Sequence, residues 1–283
     1  MMTFRVSLLG TGNPRPLIER FGPSILVEVG DERLLFDCGR GATQRLFQLG
    51  LPLGDIQNVF LTHLHSDHVV GLPDLWLTGW IFGRRESLVV RGPAGTHPLT
   101  SHLEQAYAFD VDIRQRDEKL PARGAALEGE DFPPGLVYKG EGVTVTAFAV
   151  DHGPVRPAFG YRIDAAGRSV VLSGDTRASD AVVEAARGAD LLVHEVAAAT
   201  DAWKRESPIA AAVLAHHTSP EEAGEVFARA KPRLALYSHI VLLGGVTADD
   251  LASRTRRAYG GPVEVGEDLL AVDVGDRLHV RRP

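Results

Sequence analysis

Apolar runs alternate along the chain with turn-forming and polar residues, and this pattern predicts many short strands with helices between them. Pairs of apolar runs separated by a short turn, such as 158–164 and 169–173, predict β-hairpins. Residues 43–49 carry apolar side chains at helical spacing, and Gly50 ends that run. Further strands are predicted at 4–9, 24–29, 33–37, 59–61, 88–91, 143–150, 190–193 and 234–238, and further helices at 69–82, 99–109 and 180–187.

Polar side chains able to bind a metal follow several of the predicted strands directly. Three imidazoles and a carboxylate come just after the strand at 59–61, and one such side chain follows each of three later strands. These residues are His63, His65, Asp67, His68, His152, Asp175 and His239. Such a density of polar groups is costly unless something binds them. Imidazole nitrogens and carboxylate oxygens suit Zn²⁺, with Mn²⁺ or Fe²⁺ as alternatives, so we predict a metal site.

The length of 283 residues and the 44% share of hydrophobic residues allow one large core, and we expect a single domain over residues 1–283. Residues 117–142 interrupt the strand pattern with many turn formers and little periodicity. This segment is predicted to be a surface excursion near the mouth of the site, because the strand pattern resumes directly at Val143.

Charge and cysteine content narrow the class of protein. The net charge of −7 argues against a high-affinity polynucleotide partner, since nucleic-acid binders are usually basic. The single cysteine, Cys38, excludes an internal disulfide and is expected to be a buried thiol. The sequence has no apolar run long enough to span a bilayer, and its start lacks a signal-peptide pattern, so we expect a cytoplasmic protein without membrane contact.

The segment Thr-His-Leu-His-Ser-Asp-His at 62–68 resembles the signature of the metallo-β-lactamase superfamily. The segments 35–41, 159–163, 173–176 and 217–219 are similar to the ribonuclease Z and arylsulfatase-like branch of that superfamily. The resemblance covers nearly the whole chain and implies an α/β fold, the four-layer αβ/βα sandwich.

The resemblance also implies a binuclear metal centre. It assigns His63, His65 and His152 to one ion, Asp67, His68 and His239 to the other, and Asp175 to a bridging position. Two Zn²⁺ ions roughly 3.5–4 Å apart would share a water molecule and lower its pKa. In such a site, Asp67 would also orient the resulting hydroxide, which gives it a catalytic role.

Further site residues follow from the resemblance. A histidine in the loop at 216–219 is expected to stabilise or protonate the leaving oxygen; His217 is favoured and His216 is the alternative. Asp37 is expected to support the metal ligands through hydrogen bonds. Glu195, two residues after the strand predicted at 190–193, is expected to support the site in the same way and to add a carboxylate at its entrance.

The leading functional hypothesis is a metal-dependent hydrolase that uses a metal-bridging hydroxide to cleave a small anionic ester, either a phosphodiester or a sulfate. Many ribonucleases Z carry a tRNA-gripping arm between the segments that correspond to 159–163 and 173–176, and the spacing here leaves no room for it. Nucleic acid is therefore not favoured as a partner. The alternatives are a tRNA 3′-processing endoribonuclease without the usual arm and a lactone or β-lactam hydrolase. The resemblance further implies a homodimer.

Overall fold

The computed structural model describes residues 3–283. The strands are β1 (Phe4–Gly10), β2 (Ser24–Val29), β3 (Glu32–Phe36), β4 (Asn58–Phe60), β5 (Leu88–Gly92), β6 (Leu127–Asp131), β7 (Gly135–Lys139), β8 (Val143–Ala149), β9 (Phe159–Ala165), β10 (Arg168–Leu172), β11 (Leu191–Ala199), β12 (Leu234–Leu243), β13 (Val263–Val265), β14 (Ala271–Val274) and β15 (Leu278–Arg281). The α-helices are α1 (Ala42–Gln48), α2 (Ser66–Val69), α3 (Leu72–Ile81), α4 (Thr96–Asp117), α5 (Asp180–Ala185), α6 (Asp201–Glu206), α7 (Pro208–Leu214), α8 (Pro220–Ala230) and α9 (Ala248–Thr255).

Across residues 3–283 these strands form two sheets. The first has the order β15-β14-β1-β2-β3-β4-β5-β6, and the second has the order β13-β12-β11-β10-β9-β8-β7. In the second sheet β10, β11, β12 and β13 run parallel to one another, whereas β10 is antiparallel to β9. The whole of β11 is buried, as expected for a parallel strand that is covered on both faces.

The two sheets pack face to face around one apolar cluster, to which the first sheet contributes Phe36 and Phe60 and the second contributes Tyr161 and Leu236. The outer face of the first sheet is covered by α1 and α3, which bury Leu46 and Trp76 among others. Helices α5, α8 and α9 cover the outer face of the second sheet. The resulting order of layers is the predicted αβ/βα sandwich.

The structure corrects two expectations about local elements. Residues 117–142 are not a surface excursion, because β6 pairs in parallel with β5 and β7 pairs with β8 at the edge of the second sheet. The helix predicted at 69–82 is divided into α2 and α3 at Gly71. A Cβ at Gly71 would lie 2.3 Å from the carbonyl oxygen of Gly39, so this close approach requires glycine.

The hairpin predicted at 158–164 and 169–173 is present in the structure. The hairpin of β9 and β10 closes through the turn at Ala166 and Gly167, both with positive φ, so no arm is inserted at this point. Trp76 and Trp80 are buried in the core and donate their indole N–H groups to backbone carbonyls. Among the helices of residues 3–283, none has the length and apolar character that a membrane crossing requires.

Candidate metal centre and active site

The histidine-rich motif lies where the two sheets meet at one edge. Strand β4 ends at Phe60, and the next residues are held by the second sheet: the N–H of Phe159 donates to the carbonyl of Thr62 at 2.9 Å. The hydroxyl of Tyr161 donates to the carbonyl of Leu61 at 2.5 Å. These hydrogen bonds fix the histidine-rich motif against the second sheet, whose strands lead to the other predicted metal ligands.

The structure brings the two predicted groups of metal ligands together. Ligand atoms of His63, His65 and His152 all lie within 4.8 Å of one another, and the same holds for Asp67, His68 and His239. Between the groups lies Asp175, whose Oδ2 is 3.2 Å from Nε2 of His239 and 3.4 Å from Nε2 of His68. The same oxygen is 3.9 Å from Nε2 of both His63 and His152. Asp175 thus occupies a position between the groups, as expected of a bridging ligand.

The protonation states in this cluster fit a divalent cation. Burial lowers the pKa of His63 well below its ordinary value and also lowers that of His152, so both imidazoles are neutral and offer a lone pair. Burial would raise the pKa of Asp175, but the surrounding imidazoles, His239 and His68 first, hold it well below its usual range. Neutral imidazoles beside an ionised carboxylate are the donor set that Zn²⁺ prefers.

His68 has a second feature that fits a metal cation. Its Nε2 is buried without a hydrogen-bond partner. Burial lowers the pKa of His68, but Asp175 and Asp37 outweigh this and raise it well above the ordinary value. A metal cation at Nε2 would take the place of the proton that these carboxylates attract, so the residues present fit a metal cofactor.

Asp37 lies behind the ligand cluster and hydrogen-bonds to it. Its Oδ2 accepts the Nδ1–H of His68 at 2.8 Å, and its Oδ1 accepts the backbone N–H of Thr62 at 2.8 Å. The bond to Nδ1 leaves Nε2 of His68 facing the site. The hydroxyl of Thr62 also contacts the Asp37 carboxylate, at 2.9 Å from Oδ2, a contribution that the sequence did not reveal.

The two adjacent histidines of the loop before α8 have different positions. The ring of His217 stacks on that of His239 with centroids 5.4 Å apart and lies 5.1 Å from that of His152. The ring of His216 is farther away, at 6.2 Å from His152. His216 contributes its backbone instead, because its carbonyl accepts the Nδ1–H of His152 at 3.0 Å. This hydrogen bond leaves the lone pair on Nε2 of His152 for a metal ion.

Glu195 lies beneath this loop and not at the site entrance, which corrects that expectation. Its side chain is buried; Oε2 is 3.1 Å from Nδ1 of His217, and Oε1 accepts the N–H of Thr218 at 2.7 Å. Burial disfavours the charged form of His217, but the Glu195 carboxylate and its hydrogen bond outweigh burial and raise the pKa of His217 to about 9. Glu195 therefore keeps His217 protonated and in place.

A cleft of about 340 Å³ opens above the metal-ligand cluster. One side is formed by side chains of the cluster, and the other by apolar residues of α6, α7 and β12 that sequence reasoning missed. These residues are Trp203, Ile209, Val213, Val241 and Leu243. Their signal in the sequence is weak, because α6 and α7 are short and follow no recognisable motif.

Comparisons with known proteins agree with this geometry. Residues 32–240 match the family described as the beta-lactamase superfamily domain. Ribonuclease Z of Mycobacterium bovis (strain BCG / Pasteur 1173P2) is 33% identical over 276 residues, which cover 96% of this chain and 99% of that protein. The metallo-beta-lactamase fold protein YhfI from Bacillus subtilis aligns with a TM-score of 0.76 at 22% identity, covering 96% of this chain and 100% of YhfI. The short form of human tRNase Z aligns with a TM-score of 0.72 at 22% identity, covering 96% of this chain and 99% of that one.

The chain belongs to the metallo-β-lactamase superfamily. It is a metal-dependent hydrolase of the ribonuclease Z-like kind, and its similarity to ribonuclease Z extends over almost its full length. The superfamily and the four-layer fold that the sequence predicted are confirmed.

Proposed function

We propose that this chain hydrolyses phosphodiester bonds in RNA and removes the 3′ trailer from precursor tRNA, using two divalent ions, with Zn²⁺ as the first choice. The observation that carries the proposal is the convergence of the two ligand groups on Asp175 in a chain that matches ribonuclease Z over 96% of its length. Two closely spaced ions suit phosphodiester cleavage, because both the attacking and the leaving oxygen need charge stabilisation.

This proposal reverses the order of the hypotheses drawn from the sequence. The net charge of −7 and the short hairpin of β9 and β10 favoured a small ester over a nucleic acid. An identity of 33% over 276 residues with a ribonuclease Z outweighs both arguments, since overall charge does not describe the surface around one cleft. A phosphodiester remains the bond to be cleaved, and RNA replaces the small ester as the preferred substrate.

The residues of the chain divide the chemistry between them. Divalent ions bound by the two ligand groups would lower the pKa of the attacking water and neutralise charge on the phosphoryl oxygens. Asp67, whose Oδ2 lies 3.4 Å from Nε2 of His239, orients the attacking water. His217 donates its proton to the leaving oxygen, and Glu195 holds the His217 ring in place for that transfer. His216 acts through its carbonyl, which fixes the tautomer of His152.

The test is an assay of the zinc-reconstituted protein on a precursor tRNA transcript that carries a 3′ trailer, read on a sequencing gel. We expect release of the trailer at one position, and no release by the Asp67→Ala variant. A chromogenic diester, bis-p-nitrophenyl phosphate, serves as a second substrate. If the protein hydrolyses bis-p-nitrophenyl phosphate and leaves the precursor tRNA intact, the proposal of tRNA processing is overturned. The protein would then be a phosphodiesterase that acts on small substrates. Failure on both substrates would overturn the hydrolysis of phosphodiesters altogether.

The sulfate and acyl alternatives have their own readouts. Turnover of p-nitrophenyl sulfate, or of a lactone or a chromogenic cephalosporin, at a kcat/KM above that for bis-p-nitrophenyl phosphate would contradict the proposed preference for phosphodiesters. We expect each of these rates to be lower, because none of these substrates offers a phosphoryl group with two ester oxygens to the pair of ions.

We further propose that the chain forms one domain, acts in the cytoplasm and assembles as a homodimer. Support for the homodimer comes from large apolar side chains that lie on the surface, such as Phe47, which is 73% exposed, and Phe109, which is 79% exposed. Light scattering coupled to gel filtration would give twice the chain mass if the homodimer forms and the mass of one chain if it does not. A single calorimetric transition is expected for one domain.

A further inference from the structure

The cleft over the metal centre contains an apolar surface that the metal chemistry does not require. We call Trp203, Ile209 and Val213 the α6–α7 wall; all three line the cleft, and Ile209 is 76% exposed. Val241 and Leu243 of β12 continue this wall toward His239. Val241 and Leu243 alternate along β12, so their side chains share one side of the strand, and the side chain of His239 lines the same cleft. The wall is thus in direct continuity with a predicted metal ligand.

The chemistry of the lining restricts what can occupy the cleft. Among the residues that the structure describes, no lysine or arginine lines it. A substrate anion is therefore compensated at the end of the cleft that holds the metal ligands and His217, and the part of the substrate that contacts the wall has to be uncharged and largely apolar. A volume of about 340 Å³ lies at the small end of the range for ligand pockets, which suits one ring system and not several nucleotides.

Trp203 is fixed in its position by the backbone around it. The backbone N–H of Trp203 donates to Oγ1 of Thr200, the residue that caps α6. Gly244 has a φ of 65°, and a Cβ at that position would lie 2.6 Å from Cβ of Trp203. The turn after β12 therefore packs directly against Trp203, whose side chain is half-buried.

We propose that the α6–α7 wall is a docking platform for one flat, uncharged ring next to the scissile phosphodiester, which in an RNA substrate is a nucleobase that stacks on Trp203. The proposal rests on the proposed function, because it assigns the substrate group that adjoins the bond to be cleaved. Stacking on an aromatic side chain is tolerant of base identity. The wall consequently contributes affinity for a nucleotide and little preference among the bases.

Intrinsic fluorescence tests the platform directly in the zinc-loaded protein. The chain has three tryptophans, and Trp76 and Trp80 are buried and hydrogen-bonded, so a quencher in the cleft acts on Trp203. We expect adenosine 5′-monophosphate to quench the emission saturably and ribose 5-phosphate, which carries the same anion without a base, to leave it unchanged. Equal effects of the two compounds, or no saturable quenching, would overturn the platform.

Kinetics on a dinucleoside monophosphate provide the second readout. Trp203→Ala should raise KM roughly tenfold with a smaller change in kcat, and Trp203→Phe, which keeps a flat ring, should recover most of the affinity. Ile209→Ser is a second variant in case Trp203→Ala does not fold, because Ile209 is largely exposed and its replacement should leave the fold intact. We expect Ile209→Ser to raise KM as well. Phe82→Ala is the matched control, since Phe82 is 71% exposed and lies outside the cleft lining.

The two readouts separate failure of the platform from failure of the proposed function. Hydrolysis of the dinucleotide with an unchanged KM in Trp203→Ala and Ile209→Ser overturns the platform and leaves the hydrolase intact. Saturable quenching by the nucleotide without any metal-dependent hydrolysis supports the platform and contradicts the proposed reaction.

Discussion

The carboxylate of Glu195 lies 3.1 Å from Nδ1 of His217. Glu195 also accepts the N–H of the next residue, Thr218, so one buried side chain fixes both the imidazole and the backbone of the loop that carries it. The loop continues into α8 through a capping box formed by Ser219 and Glu222. The proposed proton donor is therefore held from below by a carboxylate and from the side by a helix terminus.

Replacing Glu195 by Gln tests this arrangement. The variant keeps the size of the side chain and removes its charge, so kcat should fall about tenfold to a hundredfold. The Glu195 carboxylate raises the pKa of His217 to about 9, and without it that pKa falls. Since a proton donor works only below its pKa, the decline of kcat at alkaline pH should move to lower pH in Glu195→Gln. A pH profile of kcat identical to that of the unaltered protein would contradict the assignment.

His216 and His217 should respond differently to removal of their side chains. His217→Ala removes the proposed proton donor and should lower kcat about a hundredfold or more. His216→Ala keeps the carbonyl that binds Nδ1 of His152, so its effect should be much smaller. Steady-state kinetics on bis-p-nitrophenyl phosphate decide between the two, and the reverse order of the effects would favour His216 as the donor.

Asp37→Asn should weaken metal binding without disrupting the fold. Asparagine has nearly the same shape and tolerates the positive φ of 58° at this position, but it loses the charge that orients His68. Loss of such a supporting carboxylate typically lowers metal affinity about 10–100-fold. Competition with a chromophoric chelator measures the affinity, and the exposed Asp31→Asn serves as a matched control. Equal affinities in both variants would contradict the supporting role of Asp37.

The ligand cluster could be predicted because its residues follow apolar strands in the sequence, whereas the surfaces around the cluster depend on tertiary contacts that the local sequence does not reveal. His152 and Asp175 each follow an apolar strand, and strand ends in a packed sandwich meet at one edge. Strand β6 has the sequence Leu-Glu-Gly-Glu-Asp, which lacks apolar alternation; its pairing with β5 and its cover by α4 make it a strand. The α6–α7 wall was missed for the same reason, since its place over the cleft depends on the turn at Gly244.

Metal content measured together with activity tests the central claim most directly. Elemental analysis of purified protein that is active on bis-p-nitrophenyl phosphate should find about two equivalents of transition metal per chain, and the activity should disappear with the metal on chelation and return on addition of Zn²⁺. The Asp175→Ala variant, which lacks the carboxylate between the two ligand groups, should retain less metal and no activity. Full activity in protein that contains no transition metal would contradict the account.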